Sequence, residues 1–509
     1  MIDPVTLQVL SSAFRSICEE MGAALIRSAY STNIKERRDC STALFDARGR
    51  MIAQAEHIPV HLGAMPDAVR AVMRKRPQPD DVFILNDPFN GGTHLPDITL
   101  VSPISAGGRI IAFAASRAHH ADVGGSEPGS MPAGSRRLEE EGVVIPPTRL
   151  QAGGVPQEEF LDRLMMQMRR PRERRGDLRA QLGAGRIAAR RLAELIAQRG
   201  QGLVLEAMEA ALAYSARRMR AAISQLPEGT YRAVDYLERD GRDLIIAVKV
   251  TVAGGSMVID FEGTSAQEEG NLNCPLAVTR SACYFVLRAV TDPDIPPNSG
   301  ALEPVNISAP AGSLVNARPP AAVVAGNVET SQRIVDVLLL ALSQALPLPA
   351  QGQGTMNNLT LGSEEPEAAF NYYETIGGGA GGCPEREGAS GIHLGMTNTL
   401  NTPVEALEMS FPVRVMRYEL RDGSGGNGRH PGGDGLVRSL RLLEPARLSL
   451  LSDRRRHGPR GAAGGAAGQP GRNLINGREV AAKLTVSLQA GDEVTVETPG
   501  GGGYGSPEG

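Results

Sequence analysis

The sequence predicts a mixed fold of the α+β class, because the spacing of its apolar residues changes along the chain. Near the N-terminus they recur every three or four positions, which is typical of a helix packed on a core. From Gly229 they alternate with polar residues, as in antiparallel strands. Glycine-rich turns and strands dominate the C-terminal half. We therefore expect an N-terminal α/β lobe at 1–150, a helical arm at 151–228, a mixed α/β lobe at 229–400 and a β-rich lobe at 401–509.

The N-terminal lobe is predicted to alternate helices and short strands. Its first helix begins at Asp3-Pro4, since proline suits the first helical position. A DARG turn joins the next two strands into a hairpin. The predicted elements after the first helix are the strands Thr42–Phe45 and Met51–Gln54, the helix Pro66–Arg74, and the strands Val82–Leu85, Ile98–Val101 and Arg109–Ala115.

Periodicity also predicts the order of elements in the rest of the chain. The helical arm comprises Pro156–Met168, Gly176–Arg199 and Leu203–Leu226. Three strands of a meander follow at Thr230–Leu237, Asp243–Val252 and Ser256–Glu262, and further helices at Leu276–Thr291 and Thr330–Leu346. The loop at 317–326 is rich in Pro, Gly and Ala, and such long loops tend to carry binding residues.

Composition excludes several classes of function. The net charge of −4 gives no electrostatic basis for binding nucleic acid or an anionic membrane. The five cysteines include no C-x-x-C pair, so neither a zinc ribbon nor a disulfide framework is indicated. Because neither a signal peptide nor a membrane span is recognisable, we expect a cytoplasmic protein with reduced thiols.

The most polar part of the N-terminal lobe, residues 81–132, contains histidines, aspartates and glycines between short strands. His94 and Asp97 lie just before one predicted strand, and His119 lies just after the next. We expect the two strand ends to deliver these three side chains to one place. A mixed set of imidazole and carboxylate groups suits a divalent transition ion such as zinc, manganese or iron, with an open position for water or substrate.

A structural role is the alternative for these residues. Asp and Asn side chains often hydrogen-bond to turn backbone, and His-x-x-Asp is a weak pattern without a helix to fix its geometry. His57 and His61 are also candidate site residues, although a buried histidine bonded to backbone is the commoner outcome. After the last of the early strands, a triple glutamate ends at Glu141, and solvent exposure is the usual state of such a run.

Several long motifs resemble the B-type subunit of the hydantoinase/oxoprolinase family, which includes related subunits of acetone carboxylase type. The resemblance extends from Asp3 to Gly505. It is carried by DPVTLQVL, IKERRDCSTALFD, QAEHIPVHLGAMP, NDPFNGGTHLPDITL, RAHHADVGGSEPGSMP, PRERRGDLRAQL, YYETIGGGAGG, GMTNTLNTPVE and ETPGGGGYG.

The resemblance implies a metal held by two histidines and one or two aspartates. By motif these ligands are His94 and Asp97 of THLPD and His119 of RAHHAD, with Asp39 of ERRDCS as a fourth. Sequence does not decide between His119 and His120. Successive strand residues face opposite ways, so only one of the two histidines can point into the site if the strand continues.

Further roles are predicted around this centre. A general base beside the metal is expected to be a carboxylate or histidine, with Glu140 or Glu141 and also His120 as candidates. Glu374 and His393 are candidates for lining the substrate cavity, together with His57 and His61. The glycines at 377–382 follow a strand and could hold an anion through their N–H groups. In the family, the terminal ETPGGGGYG segment is a tail docked into the fold; a frayed tail is the alternative.

No Gly-Lys-Ser/Thr motif occurs in the chain, so the polyglycine segment is not a Walker A loop. The resemblance implies an A-type subunit that phosphorylates a hydantoin-like or 5-oxoproline-like cyclic amide, and hydrolysis at the metal of this chain in a hetero-oligomer. A ketone carboxylase that uses the same activation is one alternative. A non-catalytic scaffold for the A-type subunit is the other.

Overall fold

A computed structural model of the chain describes residues 2–56, 58–61, 63–239, 241–363 and 370–507. Helices and antiparallel sheets are both abundant in these ranges. Helices dominate residues 158–223, and strands dominate the chain after residue 410. The α+β class predicted from periodicity is therefore confirmed.

The N-terminal part of the chain forms a seven-stranded sheet with helices on both faces. Its elements are α1 (Pro4–Ser28), α2 (Thr32–Lys35), β1 (Cys40–Asp46), β2 (Met51–Glu56), α3 (Met65–Met73), β3 (Val82–Leu85), β4 (Asp97–Ala106), β5 (Arg109–His119), β6 (Thr148–Ala152) and β7 (Val155–Pro156). The strand order is β2-β1-β5-β4-β3-β6-β7, with every neighbouring pair antiparallel. Both β4 and β5 are longer than predicted, so His119 belongs to its strand.

Three helices follow: α4 (Glu158–Met165), α5 (Pro171–Arg199) and α6 (Gln201–Ile223). They do not extend away from the sheet. Apolar residues of α5 and α6 share one core with α1 and with the central strands, including Ala184, Met208 and Leu44. Among the residues described, no helix combines the length and apolarity needed to cross a membrane.

Side-chain alternation gives the central strands two distinct faces. Leu44 of β1 and Ala114 of β5 belong to the core beneath α1 and α5. Their neighbours Ala43 and Phe113 belong to the core beneath α3. Odd-numbered residues of β1 and β5 therefore face the α3 side, and this parity decides which polar side chains can meet at the strand ends.

The predicted meander is present as the second sheet. This region contains β8 (Gly229–Arg239), β9 (Arg242–Ala253), β10 (Ser256–Asp260), α7 (Leu276–Val290), α8 (Ser299–Leu302), β11 (Val305–Ser308), a π-helical turn (Gly326–Thr330) and α9 (Ser331–Leu342). The strand order is β11-β10-β9-β8, with β11 parallel to β10. Helices α7 and α9 cover this sheet and share its core.

Two further sheets form the C-terminal half. The elements are β12 (Asn358–Gly362), β13 (Asn371–Glu374), α10 (Val404–Ser410), β14 (Val413–Arg421), β15 (Gly435–Leu442), β16 (Ala446–Leu451), β17 (Arg472–Ile475), β18 (Arg478–Val480), β19 (Lys483–Leu488) and β20 (Glu493–Glu497). One sheet has the order β13-β12-β16-β19 and joins strands from both sides of residue 400; the other has the order β14-β15-β20-β17-β18. They share an apolar core that contains Leu359, Leu440, Leu448 and Val494.

The C-terminal glycines are docked into the fold, and the tail is not frayed. Gly500–Gly503 are buried between residues 377–382 and 424–433. A Cβ atom on Gly501 would lie 1.8 Å from the Ala380 carbonyl oxygen, so only glycine permits this approach.

The same packing corrects the prediction of an anion cradle at 377–382. The N–H groups of Gly378, Gly379 and Gly382 donate to backbone carbonyls at 2.8–3.0 Å. They are therefore not free to bind an anion.

Candidate metal centre

Three neighbouring strands deliver polar side chains to one cavity. Asp97, the first residue of β4, pairs with His119, the last residue of β5. Asp39 directly precedes β1, and its carbonyl accepts the His119 N–H (3.0 Å). His94 lies one turn before β4, where its carbonyl accepts the Asp97 N–H (3.1 Å). The structure thus brings together His94, Asp97 and His119, whose ligand atoms lie within 4.8 Å of one another.

Asp97 is the centre of this group. Its Oδ1 lies 3.0 Å from His94 Nε2 and 3.3 Å from His119 Nδ1. Its Oδ2 accepts a hydrogen bond from the Thr93 hydroxyl (2.6 Å) and lies 3.4 Å from His61 Nε2. All five side chains are buried. One carboxylate therefore organises three imidazoles in a site removed from bulk water.

The group opens into a small cavity. Its polar lining comprises Asp39, His61, His94, Asp97, His119, Asn327, Tyr373, Thr375, Thr397 and Thr399. Its apolar lining comprises Ile58, Val60, Val328, Met356 and Met396. Asp39 is thus placed on the same cavity as the other predicted ligands, although its carboxylate lies outside the compact three-residue group.

The donor atoms fit a divalent cation. Both ring nitrogens of His94 and the Nε2 atoms of His119 and His61 are buried and form no well-aligned hydrogen bond to the described residues. His94 Nε2 and His61 Nε2 contact only the Asp97 carboxylate, at 3.0 and 3.4 Å, as ligands of one ion would. An unsatisfied buried polar atom costs about 1–3 kcal/mol, so several in one place need a common ligand. Ligand atoms bound at about 2.0–2.2 Å from one ion lie roughly 3.0–3.5 Å apart, as the two nitrogen–oxygen pairs at Asp97 Oδ1 do.

Electrostatics favour the protonation states that metal binding requires. Burial by itself would raise the pKa of Asp97, but the neighbouring His94, His119 and His61 hold that pKa well below its usual range. Burial lowers the pKa of His119, against the opposing effect of Asp39 and Asp97. Asp97 is thus kept as a carboxylate and His119 as a neutral imidazole, which are the forms that coordinate ions.

Neighbouring side chains hold two of the histidines in place. The His119 ring stacks on Tyr373 at a centroid separation of 4.9 Å. The Arg37 guanidinium lies 4.6 Å from the Tyr373 ring centroid and donates to the Tyr373 carbonyl. His61 Nδ1 contacts the Ser41 hydroxyl at 3.0 Å, which leaves Nε2 directed at Asp97. Arg37 thus supports the wall of the cavity, although it does not line it.

His120 lies on the other face of the sheet from His119. Its Nε2 is 3.0 Å from Gln181 Oε1 on α5, and burial lowers its pKa to about 4. The alternation that separates Ala114 from Phe113 separates these two histidines as well. The structure therefore places His119, and not His120, on the cavity, and leaves His120 outside the predicted catalytic role.

Glu141 is buried, contrary to the exposure usual for a triple glutamate. Its carboxylate accepts the N–H groups of Val323 and Val324 (both 3.0 Å) and the Ser135 hydroxyl (2.9 Å). Burial raises its pKa to about 7. These three donors occupy the carboxylate, and Glu141 does not line the cavity. Its bonds to Val323 and Val324 join the N-terminal lobe to the loop before the π-helical turn. The structure does not bring this predicted base to the site.

Glu374, another predicted cavity residue, is buried at the end of β13 but does not line the cavity. It lies 3.2 Å from Arg438 Nη2 and accepts the Thr402 N–H (2.7 Å) and the Tyr372 hydroxyl. The bond to Thr402 fixes the backbone just before α10.

His393 lies directly behind the cavity wall. Its Nε2 is 3.2 Å from Asn401 Oδ1 and its Nδ1 is 3.4 Å from the hydroxyl of Thr397, which lines the cavity. Burial lowers the pKa of His393 to about 4. Of the four predicted cavity-lining residues, His61 is the one found on the cavity. The prediction for His57 lies outside the described residues.

Sequence reasoning missed most of the wall that faces away from the first sheet. Thr397 and Thr399 alternate within the GMTNTLNTPVE motif, and this two-residue spacing was a signal that one extended face is polar. Asn327 directly follows the loop at 317–326, which was singled out for binding. Thr375 and Tyr373 adjoin the polyglycine segment. No local pattern connects these segments to His94, because they meet only in the fold.

A buried carboxylate, Glu329, links two parts of the wall. Its Oε1 accepts the Met356 N–H (3.2 Å) and the Asn358 side-chain amide (2.9 Å), and Asn358 Oδ1 accepts the Tyr373 hydroxyl (2.8 Å). Burial raises the pKa of Glu329 to about 7, and the charge of Asp453 contributes to the shift.

Glu329 is therefore expected to make stability depend on pH. The folded chain binds this proton more tightly than the unfolded chain, whose pKa is near 4.5. The stabilisation is complete below about pH 4.5 and is lost as pH rises through about 7; each pKa unit corresponds to about 1.36 kcal/mol, giving roughly 3 kcal/mol in all. Glu329→Gln keeps the Oε1 acceptor without the charge.

We expect the unfolding midpoint of Glu329→Gln to exceed that of wild type at pH 8 and to match it near pH 4. Thermal unfolding at both pH values measures this difference. The same difference at both pH values would contradict the assignment.

Known proteins match almost the whole length of this chain. The family model described as Hydantoinase B/oxoprolinase matches residues 3–507. The chain is 41% identical to 5-oxoprolinase 1 of Arabidopsis thaliana, over 99% of this chain but 42% of that longer protein. It is 32% identical to a Pseudomonas sp. protein named as the B-type component of a D-/L-hydantoinase, over 99% of this chain and 90% of that protein.

Two solved structures share the fold. The ATP-dependent caprolactamase of Pseudomonas jessenii has a TM-score of 0.91 at 28% identity, covering 100% of this chain and 92% of that chain. A nucleotide-free structure of acetone carboxylase has a TM-score of 0.88 at 18% identity, covering 99% and 76%, and this likeness concerns the fold alone. With the family model matched from residue 3 to residue 507, the chain belongs to the Hydantoinase B/oxoprolinase family.

Proposed function

We propose that this chain is the metal-dependent catalytic subunit of an ATP-dependent complex that hydrolyses a small cyclic amide of the hydantoin or 5-oxoproline kind. The observation that carries the proposal is the buried group of His94, Asp97 and His119, which adjoins a small cavity and contains ring nitrogens without a well-aligned hydrogen bond. Surface histidines and aspartates are ordinary, whereas a buried group of this kind is unfavourable without a cation.

His94, Asp97 and His119 would hold the ion, with Asp39 beside them. A bound divalent ion would activate water and polarise a carbonyl group. The chain's own residues do the rest of the positioning: the Thr93 hydroxyl orients Asp97, and Tyr373 supports the His119 ring. Burial of His61, Asp97 and His119 limits their contact with bulk water.

His61 is the histidine we propose for proton transfer in the cavity. Its Nδ1 is held by Ser41, and its Nε2 lies in the cavity 3.4 Å from Asp97 Oδ2 without a well-aligned hydrogen bond. The carboxylate of Glu141 and the ring of His120 are directed elsewhere, so neither retains this role.

An A-type partner is part of the proposal because amide bonds are stable and this chain has no ATP-binding motif. The plant relative is more than twice as long as the segment it shares with this chain, which is consistent with a second activity on the same polypeptide. The caprolactamase of similar structure is ATP-dependent by name. We propose that the partner phosphorylates the cyclic amide and that the activated ring is opened in the cavity described above.

The first test is metal content. Elemental analysis of the purified chain, after reconstitution with zinc, manganese or iron, is expected to find about one ion per chain in wild type and almost none in His94→Ala. His457→Ala is a matched control, because His457 also lies beside an aspartate, Asp243 (3.1 Å), but near the surface. An equal and near-zero metal content in wild type and His94→Ala would favour a scaffold role.

The second test measures turnover of the chain assembled with its A-type partner. Hydantoin, 5-oxoproline and caprolactam are supplied separately, with and without bicarbonate, and ATP consumption and ring opening are followed together. Ring opening without bicarbonate supports hydrolysis. A strict requirement for bicarbonate would overturn the hydrolase proposal in favour of carboxylation.

A further inference from the structure

A polar group with no role so far lies in the wall of the metal cavity. Asn327 lines this cavity with only 3% of its surface exposed. Its side-chain oxygen is buried and has no hydrogen-bond partner among the described residues. Burying an unpaired amide is unfavourable, and buried polar groups nearly always have partners. The unmet group points to a ligand that brings its own hydrogen-bonding atoms into the cavity.

The backbone that carries Asn327 is fixed from several directions. It belongs to the π-helical turn Gly326–Thr330, and single π turns inside helical segments often occur at functional sites. The Gly326 N–H donates to the Asn271 carbonyl (3.0 Å), and the Thr330 hydroxyl donates to the Leu272 carbonyl (2.5 Å). A Cβ on Gly326 would lie 1.8 Å from the Asn273 carbonyl oxygen, so the turn packs directly on that loop.

The carboxylate of Glu329 holds the other end of the turn through Met356 and Asn358. The backbone that carries Asn327 is preorganised in this way, because its position does not have to be selected when a ligand binds. The neighbouring residue Val328 also lines the cavity, and so do the apolar side chains of Met356 and Met396. Asn327 is thus a polar group next to an apolar part of the wall.

The chemistry of this arrangement matches a cyclic amide. A small ring forces its amide into the cis form, so the ring N–H and C=O lie on one edge while the methylene groups lie on the other. A carboxamide has a matching acceptor and donor side by side. A turn of the side-chain amide about its last bond exchanges these roles, so it can also donate to a ring nitrogen that has lost its proton on activation.

We propose that Asn327 is a positioning and specificity-determining residue that hydrogen-bonds the ring nitrogen of a cyclic amide and selects rings with an unsubstituted N–H. The apolar wall beside it accommodates the methylene groups. An N-alkylated ring cannot make the bond, and its substituent meets the Asn327 amide. This inference rests on the proposed function of the cavity, and it adds a preference among substrates of that class.

The test compares two rings that differ by one methyl group. Binding of 2-piperidone and of 1-methyl-2-piperidone to the metal-loaded chain, without partner or ATP, is measured by calorimetric titration. Wild type is expected to bind the N–H ring at least about 10-fold more tightly, since one buried hydrogen bond is worth roughly 1.4 kcal/mol. Leucine has a volume similar to that of asparagine. In Asn327→Leu we expect the affinity for the N–H ring to fall about 10-fold, so that the two rings bind about equally.

The control is Asn316→Leu, since Asn316 donates to the Ala309 carbonyl (2.9 Å) away from the cavity. It is expected to bind both rings as wild type does. A general structural effect of Asn327→Leu would weaken the binding of both rings by the same factor and leave the ratio of their affinities unchanged. That outcome would overturn the role of Asn327. Failure of wild type to prefer the N–H ring, or to bind either ring, would overturn it as well.

The two proposals fail separately. Loss of metal in His94→Ala together with ring opening in the assembled complex supports the proposed function, whatever the ring preference. Absence of metal and of ring opening overturns the proposed function itself. Metal content is measured for Asn327→Leu too, and is expected to equal that of wild type.

Discussion

Replacing Asp97 with asparagine is expected to empty the metal centre and to reduce turnover of the assembled complex by well over 100-fold. Asp97 is the carboxylate nearest to both His94 Nε2 and His119 Nδ1, and its second oxygen faces Thr93 and His61. Asparagine keeps the shape and one acceptor oxygen but removes the negative charge. Loss of an outer-shell partner alone typically costs 10–100-fold in metal affinity or activity, so loss of the anionic ligand costs more.

Metal content by elemental analysis and the rate of ring opening at saturating substrate measure this effect. Asp260→Asn is the matched control, because Asp260 forms its ion pair with Lys249 (2.9 Å) at the surface, away from the cavity. The control is expected to keep its metal and its turnover. Full metal content and full turnover in Asp97→Asn would refute the metal-centre hypothesis and support the alternative of a non-catalytic scaffold.

The second large effect concerns stability and involves a different set of buried charges. Arg333 of α9 is fully buried, with Nη1 2.8 Å from Asp336 and Nη2 2.9 Å from Asp453. Asp235 of β8 lies 3.5 Å from Arg333 Nη1, and Arg454 binds both Asp235 and Asp336 at 2.7–3.0 Å. This network joins the second sheet, the helix after the π-helical turn and the C-terminal half.

Arg333→Met is expected to destabilise the chain by about 3–5 kcal/mol, because it leaves buried carboxylates without their main counter-charge. Burial would lower the pKa of Arg333, but the three carboxylates outweigh it and raise that pKa, so the guanidinium is charged in the folded chain. Burial already raises the pKa of Asp336 to about 7. Without the arginine, these acids have to take up protons or leave the core.

Chemical unfolding of both proteins at pH 7 measures the difference. Arg220→Met removes a comparable cation from an exposed pair with Glu303 (3.3 Å), and is expected to change stability by less than about 1 kcal/mol. If the two variants were equally stable, the buried network would not contribute to holding these regions together.

The core of the site followed from local sequence because its residues are close along neighbouring strands. His94 and Asp97 flank one strand start, and His119 ends the strand that pairs with it. Strand alternation then leaves one histidine of the His119-His120 pair on each face. The deciding fact was the length of β5, which reaches His119 and keeps it on the same face as Phe113.

The rest of the cavity wall could not be inferred locally. Asn327, Tyr373 and Thr397 lie more than 200 residues after His119 in the chain, and their meeting depends on how the second sheet and the C-terminal half pack against the first. The exposure of polar residues was misjudged for the same reason. Glu141 resembles a surface residue in a triple glutamate, but the N–H groups of Val323 and Val324 solvate it in the interior.

The sequence by itself determined the α+β class and the strand ends that carry His94, Asp97 and His119. Each of these depends on short-range patterns: periodicity, turn residues and motifs. The tertiary structure alone decided that Asp97 organises the histidines in a buried site, that His120 and Glu141 lie elsewhere, and that Asn327 has an unmet hydrogen bond. Burial and long-range pairing set these properties. When a polar side chain is buried, the protein groups that replace its hydrating water determine what it can bind.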